Sequence, residues 1–359
     1  MRRFIAIAVV VAQIAVLVAM AGGREWVLRT GRPVFLRTAP IDPRDPMRGD
    51  FVRLNYEIST VPKTLCRDGV LQWFDPNTIY KKARDRRVYA TVKLDHEGVA
   101  ELVSLSDVRP NTGLYLRGRT NSISLRSIDV RFGVEALFMQ QGKAKLFEDT
   151  ARGEKAGVPL NVEVAVGADG LAVIKSHRWE PLGITITFER DVPAPNPART
   201  GEAVQPQTPR PALVGVSVQL KNHSDQPLAI AVGDDARFLR LIPSRETSFT
   251  EDEAGWVHAR AEAPRRKPEA DEIKLLQPGQ SYDVRLDFRQ SEWFVQKQIT
   301  NADPGPVTSL STLTEDWMAS FRIEYAPPSI EECEGLPDAG LIRHARIRSR
   351  RFSPAGGVD

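Results

Sequence analysis

The sequence predicts a mainly β chain, made of an N-terminal transmembrane helix, an antiparallel β-rich domain with one short helix, and a second domain built as a β-sandwich. Three observations predict it. An uncharged apolar run opens the chain, short alternating stretches separated by Gly, Pro, Asn and Asp fill most of the remainder, and one proline-dense stretch divides them into two groups. The expected boundaries are 1–23 for the anchor, 24–190 for the first domain, 191–212 for a Pro-rich linker, 213–352 for the second domain and 353–359 for a flexible tail. A chain of 359 residues, 42% of them hydrophobic, has enough apolar material for two packed cores.

The anchor rests on "FIAIAVVVAQIAVLVAMA", Phe4 to Ala21, which follows Arg2 and Arg3 and carries Gln13 as its only polar residue. Such a run is close to the roughly 20 residues a helix needs to cross the hydrocarbon core. Basic residues on its short N-terminal side, and no later apolar run of that length, predict that everything from Arg24 onward is exported. Ala19 and Ala21 form a small-x-small pattern that a signal peptidase would accept. An uncleaved signal anchor is preferred because the run is longer than a usual signal-peptide core, and export follows under either reading.

Charge narrows the partners. With 49 Lys and Arg against 46 Asp and Glu the formal charge is +3, so no global field draws the chain to nucleic acid, and no nucleic-acid partner is expected. Cys66 and Cys333 are far apart, with no second Cys or His at ligand spacing, which excludes a disulfide scaffold and gives no zinc site.

In the first domain, "EWVLRT" and "PVFLRT" read as strands joined around "TGR". In "DFVRLNYEI", Val52, Leu54, Tyr56 and Ile58 alternate with Phe51, Arg53, Asn55 and Glu57, the pattern of a half-buried strand. "RVYATVKL" and "VAELVSL" flank "DHEG", and "VEVAV" and "LAVIK" flank "GADG", both as antiparallel hairpins, so a β-meander is the simplest reading. One helix is expected between Gln141 and Arg152, with Ala144, Leu146 and Phe147 near one face and Gly153 ending it.

The stretch "DVPAPNPARTGEAVQPQTPRPA", Asp191 to Ala212, holds Pro193, Pro195, Pro197, Pro206, Pro209 and Pro211. Prolines at that density cannot donate ladder hydrogen bonds, which predicts a semi-rigid linker between domains. Beyond it, "LVGVSVQLKN", "LAIAV", "RFLRLI", "WVHARA" and "SFRIEYAP" read as short strands of a sandwich. "LQPGQSYDVRLDF", with Tyr282, Val284, Leu286 and Phe288 pointing inward, looks like the late-strand turn of many bacterial immunoglobulin-like domains, a resemblance of architecture only.

The segment "TGRPVFLRTAPIDPRDPMRGDFVRLNY", Thr30 to Tyr56, resembles the bacterial membrane-anchored family named for its motif GDYxxLxY. The motif reads Gly49, Asp50, Phe51, Leu54 and Tyr56, with Phe51 where the family usually has Tyr. "DVRFGVEALFMQQGKAKLFEDTARGEKAGVPLNVEVAVGADGLAVIK" is similar to the family's later block, so the resemblance spans roughly Trp26 to Arg190. It implies a single-pass protein of the bacterial inner membrane, N-terminus cytoplasmic and bulk periplasmic, with no activity attached.

Physically, Pro40, Pro43 and Pro46 fix the backbone before the motif and Gly49 frees a tight turn. Asp42, Arg44, Asp45, Arg48 and Asp50 lie within nine positions. The preferred reading is structural, opposite charges and carboxylates accepting turn amides that lock a corner. The alternative makes these residues, with Tyr56, a binding corner presented by a rigid scaffold. Phe51 in place of Tyr shows that a hydroxyl there is not needed for acid–base chemistry.

The sequence carries no recognisable catalytic pattern. The approach "RGDFV" is similar to the strand motif of type I signal peptidases, but the first serine is Ser59, beyond the motif, so the nucleophile is missing. Arg48-Gly49-Asp50 as an adhesion triplet is a short match of high chance rate. There is no GxSxG elbow, phosphate loop or HExxH; His96, His177, His223, His258 and His344 are scattered, and the runs Glu251 to Glu253 and Glu331 to Glu332 read as solvated loops. No cofactor is expected.

In "LIRHARIRSRRF", His344, Arg346, Arg348 and Arg350 share one strand face, a basic stripe that would meet anionic lipid or an acidic partner; the preferred reading is a charged edge protected against aggregation. Cys66 and Cys333 offer one possible disulfide in an oxidising compartment. The functional expectation is an exported, membrane-tethered binding or scaffolding module beside integral membrane or envelope proteins, its small-molecule ligand unknown; the alternative is an envelope hydrolase with an unrecognised active site.

Overall fold

The computed structural model describes residues 2–38, 51–74, 85–124, 127–140, 143–153, 155, 157–191, 211–233, 235–243, 253–258, 267–299, 305–313 and 319–355. The described chain is mainly β, with one long N-terminal helix and antiparallel sheets. It divides into two units, residues 1–151 with 159–179, and residues 152–158 with 180–359.

Helix α1, Arg2–Thr30, contains the apolar run, and its stretch Val9–Thr30 is long and apolar enough to cross a membrane, with a mean hydropathy of 1.4. The expectation of a strand at "EWVLRT" is wrong, because the helix continues through it. Nothing between Gly23 and Thr30 breaks it: Glu25 pairs with Arg29 one turn on at 2.7 Å, the Thr30 hydroxyl donates to the Trp26 carbonyl, and termination waits for Gly31, whose N–H donates to the Val27 carbonyl. Gly31 is held so tightly between the last helical turn and a strand that a Cβ there would meet the Val27 oxygen of α1 at 2.5 Å and the Val166 nitrogen at 3.1 Å.

The first unit builds three sheets. Strand β1, Arg32–Arg37, pairs with β9, Leu160–Val166, which pairs with β10, Ala172–Trp179. Strand β2, Phe51–Arg53, pairs with β8, Ala136–Phe138. The remaining strands, β3 (Thr60–Pro62), β4 (Arg87–Leu94), β5 (Ala100–Ser106), β6 (Leu114–Ile123) and β7 (Ser127–Arg131), form one sheet in the order β3-β7-β6-β4-β5. Both expected hairpins are present, β4/β5 and β9/β10. The simple meander is not, since β4 lies between β5 and β6 and β3 joins beside β7. Inward residues of all three sheets, among them Val34, Leu36, Leu54, Tyr56, Val88, Leu116, Ile128 and Val162, make one core.

The motif strand is shorter than its pattern. Only Phe51–Arg53 is in a ladder, and a 3-10 turn takes over at Glu57–Ser59, yet Val52, Leu54, Tyr56 and Ile58 are all buried as the alternation requires. Helix α2, Lys143–Arg152, occupies the expected place. Phe147 stacks on Trp179 at 5.2 Å and meets His177 edge-on, while Leu146, expected beside it, is exposed.

The β9/β10 turn docks on the start of β6. Gly170 has φ of +80°, and a Cβ there would lie 2.6 Å from Tyr115 Cε2 and 3.0 Å from the Arg117 nitrogen. Gly170→Ala is therefore expected to destabilise the first unit by about 1–3 kcal/mol, combining left-handed backbone with overpacking, as a lowered midpoint in denaturant unfolding.

In the second unit, β11 (Leu182–Asp191), β12 (Ala212–Asn222) and β17 (Ser281–Asp287) form a sheet in the order β11-β12-β17. This corrects the linker. Asp191 pairs with Ala212 and Leu182 with Asn222, so the Pro-rich stretch joins two neighbouring strands of one sheet, and the chain passes between units at 151/152, 158/159 and 179/180 instead. Proline density reports a segment that donates no ladder hydrogen bonds, which suits a strand connection as well as a domain linker; residues 192–210 themselves lie outside the described residues.

The other sheets of this unit are β13 (Leu228–Ala231) with β16 (Ile273–Leu276), β14 (Leu239–Pro243) with β20 (Phe321–Tyr325) and β21 (Ile347–Arg348), and β15 (Glu253–His258) with β18 (Val295–Ile299) and β19 (Val307–Thr308). Their core centres on aromatic rings: Phe352 packs 5.4 Å from Phe188 and 6.2 Å from both Phe288 and Phe321. The fully buried Tyr325 hydroxyl accepts from the Ala231 N–H, tying β13 to β20. The expected tail begins later than 353, because Arg190 donates to the Pro354 carbonyl and Phe352 is buried.

Candidate functional site

Of the predicted binding corner, Asp42, Arg44, Asp45, Arg48 and Asp50 lie outside the described residues. Both ends of the segment that carries them are described, and both are pinned. At the N-terminal end, the Thr38 N–H donates to the Leu160 carbonyl at 2.8 Å, and the Thr38 hydroxyl accepts from the Leu160 N–H at 3.3 Å. At the C-terminal end, β2 pairs with β8, and the Leu54 N–H donates to the Glu135 carbonyl.

Tyr56 closes the base. It forms an isolated antiparallel bridge to Thr38, so the chain leaves and returns at adjacent positions. Its side chain is 1% exposed, and its hydroxyl donates to the Val134 carbonyl at 2.6 Å. Burial, with the Glu135 carboxylate nearby, pushes the phenol well above its ordinary pKa, so it stays a neutral donor at every physiological pH. Glu135 in turn accepts from the N–H groups of Phe132 and Gly133, bracing the turn that carries the Val134 carbonyl. Tyr56, predicted as a binding residue, is thus placed in the core, where it ties Thr38 to the turn at Val134.

The base beside Tyr56 is polar. Arg37, Thr38 and Asn161 are buried, Arg37 lies opposite Asn161 in the β1/β9 register, and Ser59 follows one turn after Tyr56, its hydroxyl buried and without a hydrogen-bond partner among the described residues. Glu135, Val134 and Thr38 were not singled out by sequence. Only a Glu two residues after a Phe-Gly turn signals such a brace, and that pattern is common.

The basic stripe keeps its alternation without most of its strand. Ala345, Ile347 and Ser349 are fully buried, so His344, Arg346, Arg348 and Arg350 face the other way, but only Ile347–Arg348 is laddered. Arg348 donates to the buried Glu324 carboxylate at 2.8 Å, and His344 Nδ1 lies 2.9 Å from the Pro328 carbonyl. Just before the stripe, Arg343 pairs at 2.6 Å with Glu180, whose side chain is 0% exposed. These carboxylates give the C-terminal basic segment an internal structural role that the sequence pattern alone did not reveal.

Cys66 and Cys333 are buried, free thiols, one in each unit. Burial pushes the Cys66 thiol up to about 11, and burial with the neighbouring Glu332 raises Cys333. A raised thiol pKa leaves little thiolate near pH 8. Both are expected to resist a water-soluble thiol reagent in the native protein, and two thiols per chain to react after denaturation without reductant. Among the described residues, no group of three or more His, Cys, Asp or Glu is placed to hold a metal ion.

A family model described as GDYXXLXY protein matches residues 13–176, from the apolar helix to β10. The match supports that family for this stretch, which overlaps most of the Trp26 to Arg190 span of the motif resemblance, and leaves residues 177–359 outside it. No curated protein and no solved structure matches the chain.

Proposed function

We propose that the protein is a binding or scaffolding module of the bacterial envelope, held in the inner membrane by α1 as an uncleaved signal anchor. Its N-terminus is cytoplasmic and its bulk periplasmic. The second unit is an immunoglobulin-like sandwich, a reading supported by its antiparallel sheets around one aromatic core. The partner is an integral membrane or envelope protein.

One observation carries the binding role. The twelve residues between Thr38 and Phe51 carry Asp42, Arg44, Asp45, Arg48 and Asp50, and they begin and end at one buried base, where Tyr56 bridges Thr38 and Thr38 bonds to Leu160. A base built in this way fixes where the charged residues enter and leave the fold, which lowers the entropy lost when they bind.

Crosslinking and affinity capture of the full-length chain from solubilised native membranes tests this, with an Arg48→Ala, Asp50→Ala variant alongside. Reproducible recovery of a membrane protein by the wild type and its loss in a folded variant is expected. Equal recovery by both returns the corner to a structural role, and recovery of nothing by either contradicts the binding reading.

A further inference from the structure

The continuous helix α1 fixes which edge of the first unit faces the bilayer. Gly31 lies against Ala165 and Val166 of β9, and four residues back along the helix Val27 Cγ2 lies 3.1 Å from a Cβ position on Gly167. Following β9 forward therefore means travelling back down α1 toward its apolar part. The β9/β10 tip, Ala168 to Gly170, points at the membrane end of the helix.

The distances agree. Val27 lies six residues past Ala21, the end of the apolar run, or about 9 Å at 1.5 Å per helical residue. The tip is a tight turn, closed by the Gly170 N–H donating to the Gly167 carbonyl, and reaches about 3–4 Å beyond Gly167 in the opposite direction. A headgroup layer of about 5–8 Å on each side of the hydrocarbon reaches that level.

The groups gathered there suit the position. Trp26 is 69% exposed on α1, at the level where indole rings concentrate in membrane proteins. Tyr115 and Arg109 both donate to the Ala168 carbonyl, at 2.9 and 3.0 Å, and Arg117 donates to Asp169 at 2.7 Å. Beside Arg109, Val108 is 61% exposed on the connection between β5 and β6. Arg29 pairs with Glu25 and Arg117 with Asp169, while Arg109, which donates to the Ala168 carbonyl, is exposed beside Val108 and Asp107.

The geometry points to a membrane-contact surface on the first unit, formed by the β9/β10 tip, Val108, Arg109 and Trp26, whose occupant is the anionic phospholipid headgroup layer of the bilayer that α1 enters. The surface rests on the uncleaved-anchor reading. It sets the first unit down on the bilayer and makes the helix a strut, so the unit does not swing on a tether.

Fluorescence quenching separates the surface from the anchor. The full-length protein, reconstituted in phosphatidylcholine vesicles containing phosphatidylglycerol, carries a bimane label at Val108→Cys, at Asn121→Cys or at Val16→Cys, the native thiols being buried. Asn121 is exposed six residues along β6 from Tyr115, about 20 Å away. A headgroup nitroxide lipid is expected to quench the Val108 label at least twofold more than the Asn121 label, while a mid-chain nitroxide quenches Val16. Equal quenching at Val108 and Asn121, with Val16 quenched, overturns the surface and leaves the anchor standing. A Val16 label untouched by mid-chain nitroxide overturns the anchor and the surface together.

Discussion

Replacing Tyr56 with alanine is expected to cost the first unit about 3–5 kcal/mol, the range for deleting a buried aromatic side chain. The ring is almost fully enclosed among residues of all three sheets of that unit, so little collapse can refill the space. Tyr56→Phe keeps the ring and strands the Val134 carbonyl, which accepts the phenol at 2.6 Å. That variant is expected to lose about 1–3 kcal/mol, the cost of an unsatisfied buried acceptor. Denaturant unfolding of the full chain in detergent, followed through the first-unit transition, checks both values and their order.

The second large effect lies in the other unit. The Glu180 carboxylate is fully buried, and Arg343 donates to it through Nε at 2.7 Å and pairs through Nη2 at 2.6 Å. Taking two charges out of water gains little net stability, but removing one of them leaves the other uncompensated. Arg343→Met is therefore expected to destabilise by about 3–5 kcal/mol. The double variant Glu180→Met, Arg343→Met should recover much of that loss, because both charges then disappear. A double variant no more stable than the single one would show that Arg343 acts through packing of its stem and not through its charge.

The strands that could be read from sequence are those where local pattern and tertiary packing agree. Val162 and Val164 in β9 and the glycine turn at Gly170 announce a hairpin because alternation and turn chemistry point the same way. The helical "EWVLRT" was misread because its alternation of Trp26 with Leu28 fits a strand locally, whereas the helix entering from Ala21 is already nucleated and need only propagate. The Pro-rich stretch was misassigned because β11 and β12 pair across a long connection, and no local signal reports which strands are partners.

The candidate site was legible in part. The motif residues Leu54 and Tyr56 were found, but their role as a buried base was not, since alternation marks a residue as inward without naming what its hydroxyl meets. The partners, Val134 and Glu135, lie nearly eighty residues away in sequence. Glu180 and Arg343 were invisible for the same reason: their pairing spans 163 positions, and each alone reads as a surface charge.

On the proposed reading the motif has two parts, a buried base, Leu54 and Tyr56, and the charged residues Asp42 to Asp50, which serve binding. The unfolding free energy of an Arg48→Ala, Asp50→Ala variant, measured beside that of Tyr56→Ala, tests this division most directly. On the binding reading the Arg48→Ala, Asp50→Ala variant is predicted to stay within about 0.5 kcal/mol of the wild type, while Tyr56→Ala loses several times that. A corner variant that loses as much stability as Tyr56→Ala would contradict the division and make the charges a structural lock.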